Sequence, residues 1–224
     1  MKFNHVKVKE IPKLESVTLE NGTRYYMTPN GKKYPSVTTI LSSLSKEGIV
    51  EWRKAVGEEE ANRITRRATN RGTRYHKICE NYLNNEEDIG IKTIFEKLLF
   101  DSTLPLLNRI NNIHYQETKL YSDHLRLAGT VDCIAEFDGR LSVIDFKTST
   151  REKFRDDIHS YFIQCSAYAI MYEERTGIPI DKIVIIMAVE DDKPLLFIEK
   201  RNTWVNDLLE CRQSYEMNKI ALTS

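Results

Sequence analysis

Residues 129 to 149, Gly-Thr-Val-Asp-Cys-Ile-Ala-Glu-Phe-Asp-Gly-Arg-Leu-Ser-Val-Ile-Asp-Phe-Lys-Thr-Ser, constrain the fold more than any other stretch. Two apolar-rich runs flank Asp138-Gly139, and an Asp-Gly pair between such runs signals a type I′ hairpin, whose two central residues need positive φ. If Phe137 faces Arg140, Asp132 lies directly across from Asp145 on one face of the sheet, and Lys147 shares that face two residues on. Two carboxylates opposed in this way repel one another, which is a liability in a purely structural hairpin. A divalent cation between them removes the cost, and two acids with a lysine suit metal-dependent phosphodiester cleavage.

The chain has 224 residues, 41% of them hydrophobic, enough to bury a core in one main domain. Its 33 basic residues balance 33 acidic ones, so no global field draws it to nucleic acid or membrane, and any such contact must use a local patch. No apolar run approaches the roughly 20 residues of a bilayer span, and Met1-Lys-Phe-Asn-His lacks a secretory core. A soluble, cytoplasmic protein that does not engage a membrane is expected. Cys79, Cys133, Cys165 and Cys211 are too dispersed for a zinc motif and read as reduced, mostly buried residues.

Alternation and the pairs Asn21-Gly22 and Asn30-Gly31 predict a small N-terminal hairpin appendage over residues 1–34. A helical region, 35–110, should follow: a helix opening at Pro35-Ser36 and ending at Gly48, then helices over 49–56, 58–69, 72–84 and 91–110, broken at Gly57, Gly72 and Gly90. Residues 111–224 should form the catalytic core. Strands are expected over 113–121, 126–137 and 140–148, a helix over 157–175, strands over 183–189 and 195–199, and a last helix over 204–220. That order gives an α/β fold, a mixed sheet flanked by helices.

Several residues carry two readings. Asp145 sits among Val143, Ile144 and Phe146, where an acid needs a partner, either a cation or a salt bridge to Lys147. Glu117, on the preceding strand, falls opposite Thr130 and diagonal to Asp132 if Tyr121 pairs with Arg126; it is a third carboxylate of the site or a surface acid. His76 is a ligand or a packed histidine. Arg63, Arg66, Arg67, Arg71, Arg74 and Lys77 form a basic segment with no acid among them, either a track for phosphates leading toward His76 or a solvated helix face. Gln164 shares a helical stripe with Tyr161, Tyr168 and Met171, and an amide on that stripe must find polar partners.

Taken in order, Tyr34-Pro35-Ser36-Val37-Thr38-Thr39-Ile40-Leu41, Trp52-Arg53, Glu60-Ala61-Asn62, Arg71-Gly72-Thr73 with His76, Glu117, Gly129-Thr130-Val131-Asp132, Asp145-Phe146-Lys147-Thr148, and Gln164 with Tyr168 resemble the PD-(D/E)XK nuclease superfamily. The resemblance covers roughly residues 34 to 175 and lies with the RecB-like branch, which includes phage-encoded and mitochondrial genome maintenance exonucleases. It implies a restriction-endonuclease-like sheet over residues 35–224. It also implies a Mg²⁺-dependent DNA exonuclease, with Mn²⁺ able to substitute, acting on single-stranded ends in DNA processing, repair or recombination in a bacterial or phage-infected cell. By the same resemblance His76, Asp132, Asp145 and the Phe146 carbonyl would bind metal, Lys147 would orient or activate water, and Glu117 would join the centre. Arg71, Arg74, Gln164, Tyr168, Ser36 and Thr38 would meet DNA, with Tyr25, Tyr26 or Trp52 as stacking platforms. Some related nucleases hold an iron–sulfur cluster on four cysteines, three of them near the C-terminus. Only Cys211 lies there, so no cluster is expected. A nicking or structure-specific endonuclease and a non-catalytic DNA-binding subunit on the same fold are the alternatives.

Overall fold

A computed structural model describes residues 2–221. Its centre is a five-stranded sheet in the order β4-β5-β6-β7-β8, formed by β4 (Ile110–Ser122), β5 (Leu127–Phe137), β6 (Arg140–Ser149), β7 (Lys182–Val189) and β8 (Leu195–Lys200). Only β6 and β7 run parallel, so the sheet is mixed. The crossover between those two strands contains helix α5 (His159–Thr176), which stops where Gly177 takes the left-handed conformation.

Helices cover both faces, and this explains the apolar content of the central strands. Against one face lie α3 (Glu58–Leu83) and α4 (Ile94–Leu107), where Ile78, Leu99 and Phe100 pack on Ile144, Phe146 and Ile186. Against the other lie α5, α1 (Val37–Leu44) and α6 (Val205–Ala221), where Ile40, Phe162 and Leu208 join Val143, Ile185 and Met187. Among the described residues no helix is long and apolar enough to cross a membrane.

The N-terminal segment is more than a hairpin. It forms a three-stranded antiparallel sheet of β1 (Glu15–Thr18), β2 (Arg24–Met27) and β3 (Lys33–Pro35), with turns at the two Asn-Gly pairs. This sheet packs on the main body through a cluster of Leu14, Tyr26 and Tyr34 with Tyr121 and Ala128. Upstream of it, Phe3 is buried beside Tyr82, with ring centroids 5.1 Å apart.

Two expected helix breaks are absent. The first helix ends at Ser45 and α2 (Lys46–Val56) runs through Gly48, while α3 runs unbroken through Gly72. A glycine ends a helix when its φ turns positive, as at Gly57 (φ 87°), whereas α3 ends at Leu83, ahead of Gly90; Gly72 keeps a helical φ and lies over Thr148 of β6. Pro105 falls inside the C-terminal part of α4 without dividing it.

The Asp138-Gly139 turn is as expected, with φ of 53° and 71°, and Phe137 faces Arg140. The β4–β5 hairpin differs. Ser122 pairs with Leu127 across a four-residue turn, because Leu125 is buried and its N–H donates to Ser122 Oγ at 2.9 Å, while Tyr34 donates to Asp123 at 2.7 Å. This shift moves Glu117 away from Thr130, which faces Lys119, to the level of Asp132, between the pairs Gln116–Cys133 and Thr118–Val131.

Candidate active site

Besides the register shift between Asn111 and Tyr115 on β4, the sheet is irregular at a second level, and the acids sit there. Along β5, Val131 packs in the α5-side core and Cys133 in the α3-side core, so the alternation of side chains slips across Asp132. On β4, Glu117 has φ 45°, a left-handed conformation rare outside turns. The β5–β6 register fits an Asp132–Asp145 pairing, but the bonded ladder ends one position short, at Cys133 and Ile144. In place of a further ladder bond, the Phe146 N–H donates to Asp132 Oδ2 at 2.9 Å, which fixes that carboxylate.

His76 approaches from α3, its Nδ1 3.4 Å from Asp132 Oδ2 and its ring edge-on to Phe146. Ligand atoms of His76, Glu117 and Asp132 all lie within 4.8 Å of one another, so three elements, α3, β4 and β5, converge on one point. The point opens into a cleft of about 640 Å³ lined by Gly72, Thr73, His76, Lys77, Glu80 and Glu117. Although Glu117 faces this opening, removal of its carboxyl from water, followed by the charges of Asp132 and Glu80, pushes its pKa up to about 7. Lys77, which could have neutralised it, pairs with Glu80 at 2.9 Å.

Asp145 lies outside that trio. It is 1% exposed, forms a close salt bridge with Lys147 and accepts a hydrogen bond from Gln164 Nε2 at 3.3 Å. Of the two readings of Asp145, the structure has the salt bridge to Lys147, enclosed at the site rather than on a solvated face. Burial pushes the Asp145 carboxyl up to about 6, against the pull of Lys147. Burial would lower the Lys147 ammonium, but the charges of Asp145 and Asp132 more than offset this and hold it upward. The Tyr161 ring closes the other side, 4.9 Å from Lys147 Nζ. Its place one helical turn before Gln164 is the sequence signal for this contact.

The remaining candidates divide. Gln164 Nε2 also reaches Tyr168 OH at 3.4 Å, and Tyr168 packs so closely on Gly129 that a Cβ there would lie 2.6 Å from its ring. Ser36 is 2% exposed and caps α1, accepting the Thr39 N–H at 3.0 Å, whereas Thr38 is exposed. Tyr26 is buried and bonds Thr130, while Trp52 is exposed. Of the basic stripe, Lys77 borders the His76 cleft, whereas Arg63, Arg66, Arg67, Arg71 and Arg74 line a groove toward α4. There Arg71 pairs with Glu190 and donates to Thr148 Oγ1 at 3.1 Å, and Arg74 forks onto Glu96 at 2.8 and 3.3 Å while also donating to the Gly90 carbonyl at 2.6 Å. Sequence order hid these partners, because Glu96 and Glu190 lie far along the chain. Cys79, Cys133 and Cys165 are buried thiols in the two cores, and Cys211 is partly buried.

Comparison with known proteins bears on the same residues. The chain is similar to mitochondrial genome maintenance exonuclease 1 of Homo sapiens, 28% identical over 177 residues that cover 71% of this chain and 50% of that protein. The mouse protein of the same name is 26% identical over 172 residues, covering 71% and 51%. The chain thus spans about half the length of the curated relatives it matches. The sequence model of the PD-(D/E)XK nuclease superfamily matches residues 39–195, a span that holds His76, Glu117, Asp132, the Asp145–Lys147 pair and strands β4 to β7. On that match, across well over half its length, the chain belongs to the PD-(D/E)XK nuclease superfamily.

Proposed function

We propose that this nuclease is a Mg²⁺- or Mn²⁺-dependent DNA exonuclease that hydrolyses phosphodiester bonds at single-stranded ends. One observation carries the reading: His76, Glu117 and Asp132 bring their ligand atoms within 4.8 Å beside the buried Lys147–Asp145 pair. Two carboxylates and an imidazole suit Mg²⁺ and suit Mn²⁺ at least as well. The crowding of Glu117 by other acids supports the same fit, since a cation there relieves it.

His76, Glu117 and Asp132 would hold the ion, with Asp132 steadied by the Phe146 N–H. Bound, it would neutralise the phosphate and lower the pKa of its water. Lys147 remains charged next to Asp145, so it serves to orient water or a phosphate oxygen rather than to accept a proton. Asp145 places the ammonium, Gln164 places Asp145, and Tyr161 limits the ammonium's travel. The exonuclease reading is further supported by the names of the relatives.

Digestion of end-labelled linear and circular single strands with Mg²⁺ tests the proposal. Loss of the linear strand with the circle intact is expected. Cutting of the circle would make the protein an endonuclease, and inertness toward both, even with Mn²⁺, would make it a DNA-binding module.

A further inference from the structure

We infer that a second cleft, beside Tyr161 and Gln164, receives an unstacked nucleobase of the DNA strand, so that the site itself selects single strands. This rests on the nuclease reading above. The cleft, about 470 Å³, lies between α1, the start of α5 and α6. It shares two residues with the candidate centre: Gln164, bonded to Asp145, and Tyr161, whose ring covers Lys147. A group held there is one side chain away from the residues that meet the phosphate.

The lining decides what kind of group that is. Leu41, Ile163 and the Tyr161 ring provide apolar walls. The hydroxyls of α1 have already given away their protons: Ser42 donates to the Thr39 carbonyl at 3.0 Å and Ser45 to the Ser42 carbonyl at 3.3 Å. Ser36 donates to Thr39 Oγ1 at 2.8 Å, so the 3.0 Å contact between Thr38 and Ser36 uses the Thr38 proton. What these groups still offer is lone pairs. With its amide nitrogen directed to Asp145 and Tyr168, Gln164 likewise offers its carbonyl oxygen as an acceptor.

His159 and Ser160 complete the lining on the α5 side, and among the described residues of the cleft there is no lysine or arginine. A phosphate needs positive charge, and the one basic side chain of this lining, the His159 imidazole, already has the Asp207 carboxylate 3.7 Å away. A flat, neutral ring with N–H donors at its edge matches apolar walls and acceptor atoms, and a nucleobase is such a ring. In a duplex the base is stacked and paired, and entry would require both to be broken; in a single strand it can turn in at little cost.

Binding of a labelled single strand in Ca²⁺, followed by fluorescence anisotropy, tests this without needing turnover. A single abasic site is walked along the strand, and the cleft is filled separately by Ser42→Trp and Ser160→Trp, with folding checked by thermal unfolding. Wild type should lose affinity about tenfold at one abasic position. A folded filling variant should bind the intact strand as weakly as wild type binds that abasic one, with no further loss on the abasic strand. If no abasic position weakens wild-type binding, the inference is wrong, whether or not either variant folds. A base effect in Ca²⁺ without digestion in Mg²⁺ or Mn²⁺ would keep the cleft and remove the nuclease reading.

Discussion

Helix α3 carries charge on two flanks, and the flanks treat it in opposite ways. On the α4 side Arg74 and Glu96 saturate one another, and two backbone N–H groups, of Lys92 and Thr93, also donate to Glu96. There the Arg74 fork, outweighing the cost of burial, holds the Glu96 carboxyl down to about 2. On the His76 side Glu117 is pushed up to about 7 with like charges around it. Charges that the fold satisfies lock two helices together, whereas charges that it leaves in conflict await something from outside. On the proposed reading, the first flank is structural and the second holds the chemistry.

The largest expected effect separates the two flanks by activity. Lys147→Ala should lower turnover by roughly 10²- to 10⁴-fold in single-turnover digestion while leaving DNA affinity nearly unchanged; unchanged turnover would remove Lys147 from the chemistry. The converse substitution, Glu96→Ala, should cost about 2 kcal/mol in urea unfolding, the range of charge-assisted hydrogen bonds, with turnover retained. A loss of turnover in folded Glu96→Ala would erase the distinction.

The pH dependence should also run in opposite directions. Glu117 and Asp145 have carboxyl pKa values raised to about 7 and about 6, so the folded state binds protons there that the unfolded state does not. Their stabilising contribution is complete below the ordinary carboxylate range and is lost as pH rises through those values. A bound cation offsets that loss, so Mn²⁺ should raise the thermal midpoint more at pH 8 than at pH 5, and an equal rise at both would contradict the assignment. For Glu96, lowered to about 2, the contribution is present above the ordinary range and disappears as pH falls toward that value. The penalty of Glu96→Ala should therefore hold between pH 5 and 8 and shrink in acid. The smallest effect belongs to Arg66→Ala on the exposed part of α3, which should leave the slope of log affinity against log salt nearly unchanged. A drop of about one, the loss of a single phosphate contact, would return the stripe to the DNA path.

What the sequence discloses follows from how local each feature is. The Asp138-Gly139 turn sets its own register, so the placement of Asp132 and Asp145 near one another can be computed from four neighbouring residues. Glu117 escapes such a computation because a buried Leu125 and an anchored Asp123 decide the length of its turn. Gly72 misleads because glycine composition says nothing of φ, and the partners of Arg71 and Arg74 are hidden because those acids come from the end of β7 and from α4. Gln164 is legible as an amide in need of a partner, and the structure supplies Asp145.

Calorimetric titration of the purified protein with Mn²⁺ at pH 8, beside Asp132→Asn and Glu96→Gln, addresses the contrast between the flanks most directly. The account predicts saturable binding by wild type and by Glu96→Gln and its loss in folded Asp132→Asn. Equal binding by Asp132→Asn and wild type would contradict it.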